Sequence, residues 1–349
     1  MGYVLFVIAL FFTALLIPFS AAASQGASDG LSLFIGSVFP VLFPFFVCSR
    51  FLFAQGFLAK LALKKGAFVI LFSFFISLVC GIPSAALIYD ELSRSGVLGR
   101  KRASVLCAVQ TLSCPVFITV SVASWLPRGS RLLPLLAISH YAPALIASVL
   151  LCLFGKDHTS RRDIPAPLTN AEAAGAFSKA LSEAVSAIFR VGGTIVFFRV
   201  IYSVFDAAGL LGSVGSPMGK ALIGVFELTN GAQFLAAEPT RLNASLLAGL
   251  MSFGGICIFI QTKMFFEHLD TRPYLFAKLV LGAASGMLAY LLCPAFISSA
   301  EVFGSFSQEL GSSGGLRVDR LAAVILFAVS SAFALIICAL GCKWMEKRA

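Results

Sequence analysis

The 349-residue chain is 59% hydrophobic and only 12% charged, with a mean hydropathy of +0.95. Soluble domains carry about 25% charged residues, so too little charge is present here to build a water-exposed surface, and the chain reads as an integral membrane protein. Its formal charge of +10 does not point to nucleic acid, because the basic residues sit in short loops between apolar stretches rather than along one amphipathic face.

In chain order, apolar stretches run over 2–20, 31–55, 67–89, 103–124, 133–154, 183–206, 212–237, 244–262, 274–293 and 320–342. Several approach or exceed the roughly 20 residues that a helix needs to cross about 30 Å of hydrocarbon. The first is followed by Ser20-Ala21-Ala22-Ala23-Ser24, which resembles a signal-peptidase site. No positive residue precedes it, so a retained first helix is favoured over a cleaved leader. All nine cysteines lie in or at the edge of apolar stretches, without CxxC or metal-ligand spacing, and read as small hydrophobes.

If all ten stretches crossed fully, basic loops would fall on opposite sides. The loops 56–66 (Lys60, Lys64, Lys65) and 90–102 (Arg94, Arg100, Lys101, Arg102) flank one stretch, yet both carry the positive excess of cytoplasmic loops. The stretch 67–89 is therefore expected to enter and leave on one side, as a re-entrant hairpin turning at Cys80-Gly81-Ile82-Pro83-Ser84. There Gly81 is permissive and Pro83 cannot continue a helix. The same fold-back over 212–237, with its tip at Glu227-Leu228-Thr229-Asn230-Gly231, leaves eight crossings and both termini cytoplasmic. Sixteen of the 26 Lys and Arg residues then lie inside, six outside and four within spans, the asymmetry that the positive-inside rule requires.

Residues 31–154 and 183–293 repeat one order of parts: a span, a Gly-containing hairpin, and two spans joined by a short loop. Ala103-Ser104-Val105-Leu106 matches Ala244-Ser245-Leu246-Leu247 in a frame that lays Ser113-Cys114 over Gly254-Gly255. Each unit has three crossings, an odd number, so the second is expected upside down relative to the first. Many secondary transporters use this arrangement around a midplane site made from broken helices. The expected fold class is all-α polytopic, with about eight transmembrane helices plus two re-entrant helical hairpins in two inverted repeats. Its parts are an N-terminal helix and loop (1–30), a first repeat (31–154), a cytoplasmic linker (155–182), a second repeat (183–293), and a loop with a C-terminal transmembrane helix (294–349).

The candidate binding residues lie at the four breaks: Gly81, Pro83 and Ser84; Gln110, Thr111 and Ser113; Glu227, Thr229, Asn230 and Gly231; Gly254 and Gly255. Backbone groups freed at such breaks have to be satisfied by protein, trapped water or a ligand. Glu227 has two readings: a carboxylate for ion or proton coupling or for substrate, or one that accepts from free N–H groups at the tip. Thr229 and Asn230 can hydrogen-bond a polar ligand at a helix N-terminus, although Asn-Gly is also a common turn former. Ser84 is expected to cap the second hairpin arm. Ser113, Cys114, Gly254 and Gly255 either open the helices to substrate or permit close packing.

Arg190 and Arg199 are candidates to pair with Glu227 or bind an anion, but snorkelling is the simpler account for them and particularly for Arg50 and Lys278. His140 reads as a proton shuttle or as a satisfied interfacial residue, the commoner case. No Walker loop, Gly-x-Ser-x-Gly or HExxH occurs, and Asp90 with Glu91 reads as a cytoplasmic margin. Neither an enzyme, with catalytic residues, nor an ATP-driven pump is expected. No metal and no cofactor is expected. The lipid bilayer is the expected partner and a small polar solute or ion the candidate ligand; oligomer or protein partners stay open.

The segments GIPSAALIYDELSRSGVLGRKRASVLCAVQTLSCPVF (81–117) and FELTNGA (226–232) resemble the sporulation integral membrane protein YlbJ-like family. Its members carry the nucleoside recognition Gate domain shared with spore maturation proteins and concentrative nucleoside transporters. The resemblance covers about residues 30–295 by order of parts. It implies a polytopic cell-membrane protein of endospore-forming bacteria needed in forming the spore cortex, and, through the Gate domain, transport of a small polar, nucleoside-like solute. Where members show a Gly-x-Pro-x-Gly-Ala tip, this chain has Gly81-Ile82-Pro83-Ser84-Ala85-Ala86. Where they have an Asn-rich stretch before a Gly-Pro break, it has Gln110-Thr111-Leu112-Ser113-Cys114-Pro115. These reduced amides favour the alternative, a non-transporting membrane scaffold of a sporulation complex.

Overall fold

The computed structural model describes residues 2–54, 66–154, 170–210 and 216–307. The apolar stretch 320–342 and the basic loop and linker residues of 56–65 and 155–169 lie outside them. Among the described residues all regular structure is helical. Four of the described helices are long and apolar enough to cross a membrane: Leu132–Phe154, Gly175–Ala207, Arg241–Lys263 and Thr271–Phe296. The protein is thus an all-helical, multi-pass membrane protein.

Helix α1 (Gly2–Leu16) is followed by α2 (Ser20–Leu33), with a bend of 102° between them. Residues 21–30, expected as a loop, are therefore helical. The reason is tertiary: Gly26 and Gly30, one turn apart, bring α2 onto the later helix α8 (Asn170–Ala207). A methyl on Gly26 would stand 2.7 Å from Ser203 Oγ, and one on Gly30 2.9 Å from Val196 Cα. A π-helical turn, Phe34–Val38, leads into α3 (Phe39–Ala54).

Next come α4 (Gly66–Cys80) and α5 (Ile82–Arg94), separated at Gly81 with φ +78°. The two arms fold back, since Tyr89 faces Ser73 and Val69, Ile70 and Phe72 share one core with Leu87, Ile88 and Leu92. Helix α6 (Arg100–Gln110) ends in a non-helical stretch at 111–114, after which helix resumes over 115–125. Helix α7 (Leu132–Phe154) then returns.

Beyond α8, the ten-residue helices α9 (Pro217–Phe226) and α10 (Leu228–Ala237) are each about 15 Å long, half the hydrocarbon thickness. They too fold back. Lys220 Nζ meets a Glu238 carboxylate oxygen at 2.7 Å across the open end, and a methyl on Gly231 would overlap the Gly224 backbone. Helices α11 (Arg241–Phe253) and α12 (Gly255–Lys263) are joined at Gly254, φ +90°.

The last described helix is α13 (Thr271–Ser307). It crosses α11 where side chains are smallest: a methyl on Gly249 would stand 3.2 Å from Gly282 O, and one on Gly286 3.1 Å from Ser245 O. Ser245 Oγ donates to Gly286 O at 2.9 Å. Without a hydrophobic driving force between helices in lipid, such close backbone approach supplies the packing energy.

The buried residues form two main cores. One gathers α4, α5 and α6 with parts of α3 and α8, and the other joins 115–125 to α7, α9, α10, α11 and α13. At one end of the bundle the loop after α12 is held by the end of α5 and the start of α6. Asp90 accepts from the His268 backbone N–H at 2.6 Å, Ser93 and Arg100 donate to His268 O, and the Asp270 N–H donates to Ser104 Oγ at 2.7 Å.

Candidate functional site

The four sequence breaks meet in pairs. Gly81, at the tip between α4 and α5, lies against the break after α6: a methyl there would be 3.6 Å from Cys114 Cβ. At the other tip, the carbonyls of Gly224 and Val225 lie against Gly255, where a methyl would stand 2.8 and 3.0 Å from them. Each helix end in such a break leaves N–H or C=O groups that cannot go unpaired in a dry interior.

Two side chains join the broken helices to each other. Lys278, on α13 and only 2% exposed, donates from Nζ to Thr111 O and to Ser252 O, both at 2.8 Å. His140, fully buried on α7, accepts the Ser113 N–H on Nε2 at 3.1 Å. A neutral ring accepting there carries its proton on Nδ1, which lies 2.8 Å from Ser252 Oγ and donates to it. The neighbouring Tyr141 hydroxyl donates to Ser113 O at 2.8 Å. Both backbone groups that the break frees at Ser113 are thereby satisfied from α7.

Lys278 overturns its sequence reading, and His140 the interfacial one of its two. Lys278 does not snorkel, because its neighbours Gly282 and Gly286 on the same helix face hold that face against α11. His140 is a bridge in the protein interior rather than an interfacial residue. Arg50, also read as snorkelling, pairs with Glu183 at 3.1 Å. Neither Arg190 nor Arg199 pairs with Glu227. Arg199 lies 6.0 Å from the Tyr202 ring, while Arg190 lines a small cleft of about 120 Å³ with Arg50, Glu183 and Phe265.

Glu227 is 6% exposed and its two oxygens accept the N–H groups of Thr229, at 3.1 Å, and Asn230, at 2.8 Å. It is thus the N-cap of α10, the second of its two sequence readings. Thr229 contributes its backbone. Asn230 is buried, and its Nδ2 has no partner among the described residues. Gly231 serves the contact with Gly224. At the first tip Pro83 occupies the opening turn of α5. Ser84 Oγ donates to Gly81 O at 2.6 Å instead of capping an N–H, which corrects the expected role.

Gln110 turns away from the breaks: its amide donates to Ile70 O at 3.0 Å and Ser148 Oγ at 3.2 Å, leaving Oε1 buried without a partner among the described residues. Thr111 Oγ1 is spent on Cys107 O, and Ser113 Oγ is buried and unpartnered. The centre therefore holds Lys278, His140 and Ser252, and it offers Ser113 Oγ as a free polar atom. Sequence reading missed Lys278 and Ser252, although the spacing Lys278, Gly282, Gly286 puts the lysine on a small-residue face, which marks a packing face.

No family model and no solved structure matches the chain. It is 25% identical, over 354 aligned positions, to the sporulation integral membrane protein YlbJ of Bacillus subtilis (strain 168), with 87% of this chain and 86% of that protein covered. This similarity supports the resemblance to the YlbJ-like family. The alignment is long enough to take in both hairpins of this YlbJ-like protein and the Lys278 centre between them.

Proposed function

We propose that this YlbJ-like protein is a permease for a small polar, nucleoside-like solute, with a role in sporulation through formation of the spore cortex. In this reading eight spans and two re-entrant hairpins form two inverted repeats, 31–154 and 183–293, with both termini cytoplasmic. An N-terminal helix and loop (1–30), a cytoplasmic linker (155–182) and a loop with a C-terminal transmembrane helix (294–349) complete it. The observation that carries the reading is the pairing of tips with broken helices, Gly81 on Cys114 and Gly224–Val225 on Gly255, with Lys278 linking the two broken helices.

Support comes from several sides. Arms of ten residues suit a hairpin that reaches mid-bilayer and returns. Sites at broken helices near the midplane are how secondary transporters present backbone groups to a solute. Ser113 Oγ, Asn230 Nδ2 and Gln110 Oε1, buried without partners among the described residues, are polar atoms available to a solute or to water. The relative's name gives the sporulation role.

A second reading, a non-transporting scaffold of a sporulation complex, is favoured by one observation: both Glu227 oxygens are used in capping. Uptake of labelled nucleosides and other small polar solutes into proteoliposomes separates the two. The permease reading expects saturable uptake that Gly231→Leu abolishes. Absence of uptake and binding for every solute, with normal sporulation supported by Glu227→Ala, would sink it and leave the scaffold.

A further inference from the structure

The two carbonyls that receive Lys278 are not arbitrary ones. Thr111 is the C-cap of α6 and Ser252 lies in the last turn of α11, so both oxygens belong to the negative ends of half-helices. A helix C-terminus is equivalent to about −0.5 of an elementary charge. Two of them together offer about one unit, the complement of a single ammonium.

No carboxylate faces Nζ among the described residues. Cys107 from α6 and His140 from α7 are the titratable side chains in electrostatic reach of it, and the Ser252 hydroxyl on α11 is engaged by His140. His140, held as the neutral Nδ1–H tautomer by the Ser113 N–H, adds no second positive charge. Carbonyls at half-helix C-termini are the ligands with which broken helices hold small monovalent cations. In this protein the occupant of such a position is covalently attached.

We infer that Lys278 is a built-in cation: its ammonium fills a monovalent-cation site made by the C-terminal ends of the two broken helices, so closing this site takes no exchangeable ion. The inference rests on the geometry around Nζ and not on solute movement. Its test therefore reads stability alone.

The full chain, purified in detergent, is unfolded thermally at equal ionic strength in sodium, potassium, methylammonium or choline chloride. The wild type is expected to melt at one temperature in all four. Lys278→Ala opens room beside two unpaired carbonyls; it is expected to melt several degrees lower in choline and to recover selectively and saturably in methylammonium or sodium. Lys278→Met, which refills the volume without a donor, is expected to be destabilised and to respond to none of them. Should Lys278→Ala fold only when purified in methylammonium, that rescue is the same result. A wild-type midpoint that rises selectively with sodium overturns the inference. So does a Lys278→Met protein as stable as wild type, or a Lys278→Ala protein indifferent to every small cation.

Discussion

Glu227 holds two N–H groups at the start of α10, so its removal acts first on stability. Loss of an N-cap costs about 0.5–2 kcal/mol, and Glu227→Ala is predicted to lower the melting midpoint accordingly, with Glu227→Gln, which keeps one acceptor oxygen, falling between it and wild type. A coupling carboxylate would behave otherwise, losing uptake in Glu227→Gln at nearly unchanged stability. His140→Phe strands the buried Ser113 N–H and is predicted to cost about 1–3 kcal/mol, read from the same melting curves, whereas an interfacial histidine would tolerate the change. The role of Glu227 was legible as one of two alternatives, because a carboxylate just before a helix start in an apolar run has few partners other than free N–H groups. That of Lys278 was not. Its position near the start of an apolar stretch mimics a snorkelling residue, and nothing local says that the Ser252 carbonyl on another helix lies opposite.

At the scale of elements, the hairpin formed by α9 and α10 depends on the bare contact of Gly224 with Gly231. Cysteines replacing Lys220 and Glu238 at its open end are predicted to cross-link readily in a background without other cysteines. Adding Gly231→Leu should splay the arms and abolish the cross-link; persistence of the cross-link in that variant would contradict the close approach. The breaks themselves were readable, since Gly81, Pro115, Gly254 and the Glu227–Gly231 tip carry their own chemistry of chain reversal. The helix α2 was not, because its Ala-, Ser- and Gly-rich residues are indistinct as a loop or a helix until α8 supplies a surface for Gly26 and Gly30. Helical structure there is a product of packing rather than of propensity.

For the molecule as a whole, the contacts of Asp90 on α5 and Arg100 on α6 with His268 in the loop after α12 tie two distant chain regions to one side of the bundle. Single cysteines replacing the exposed Gly99 and Glu267 are predicted to react with an impermeant maleimide from the same side, cytoplasmic in the proposed topology, and one replacing Arg128 from the other. Labelling of Gly99 and Glu267 positions from opposite sides would break the arrangement. Charge counting anticipated this shared side, since it needs only loop composition, but it could not show that α5 and α6 touch the loop after α12. The short arms of α9 and α10 have a consequence for biogenesis. In the proposed topology each arm reaches only about half-way across the hydrocarbon, so the hairpin is expected to need α11 and α13 to shelter it during insertion. Substitutions that wedge apart Gly249 and Gly282 should accordingly surface as degraded nascent protein, caught by quality-control proteases before any mature molecule exists to be assayed.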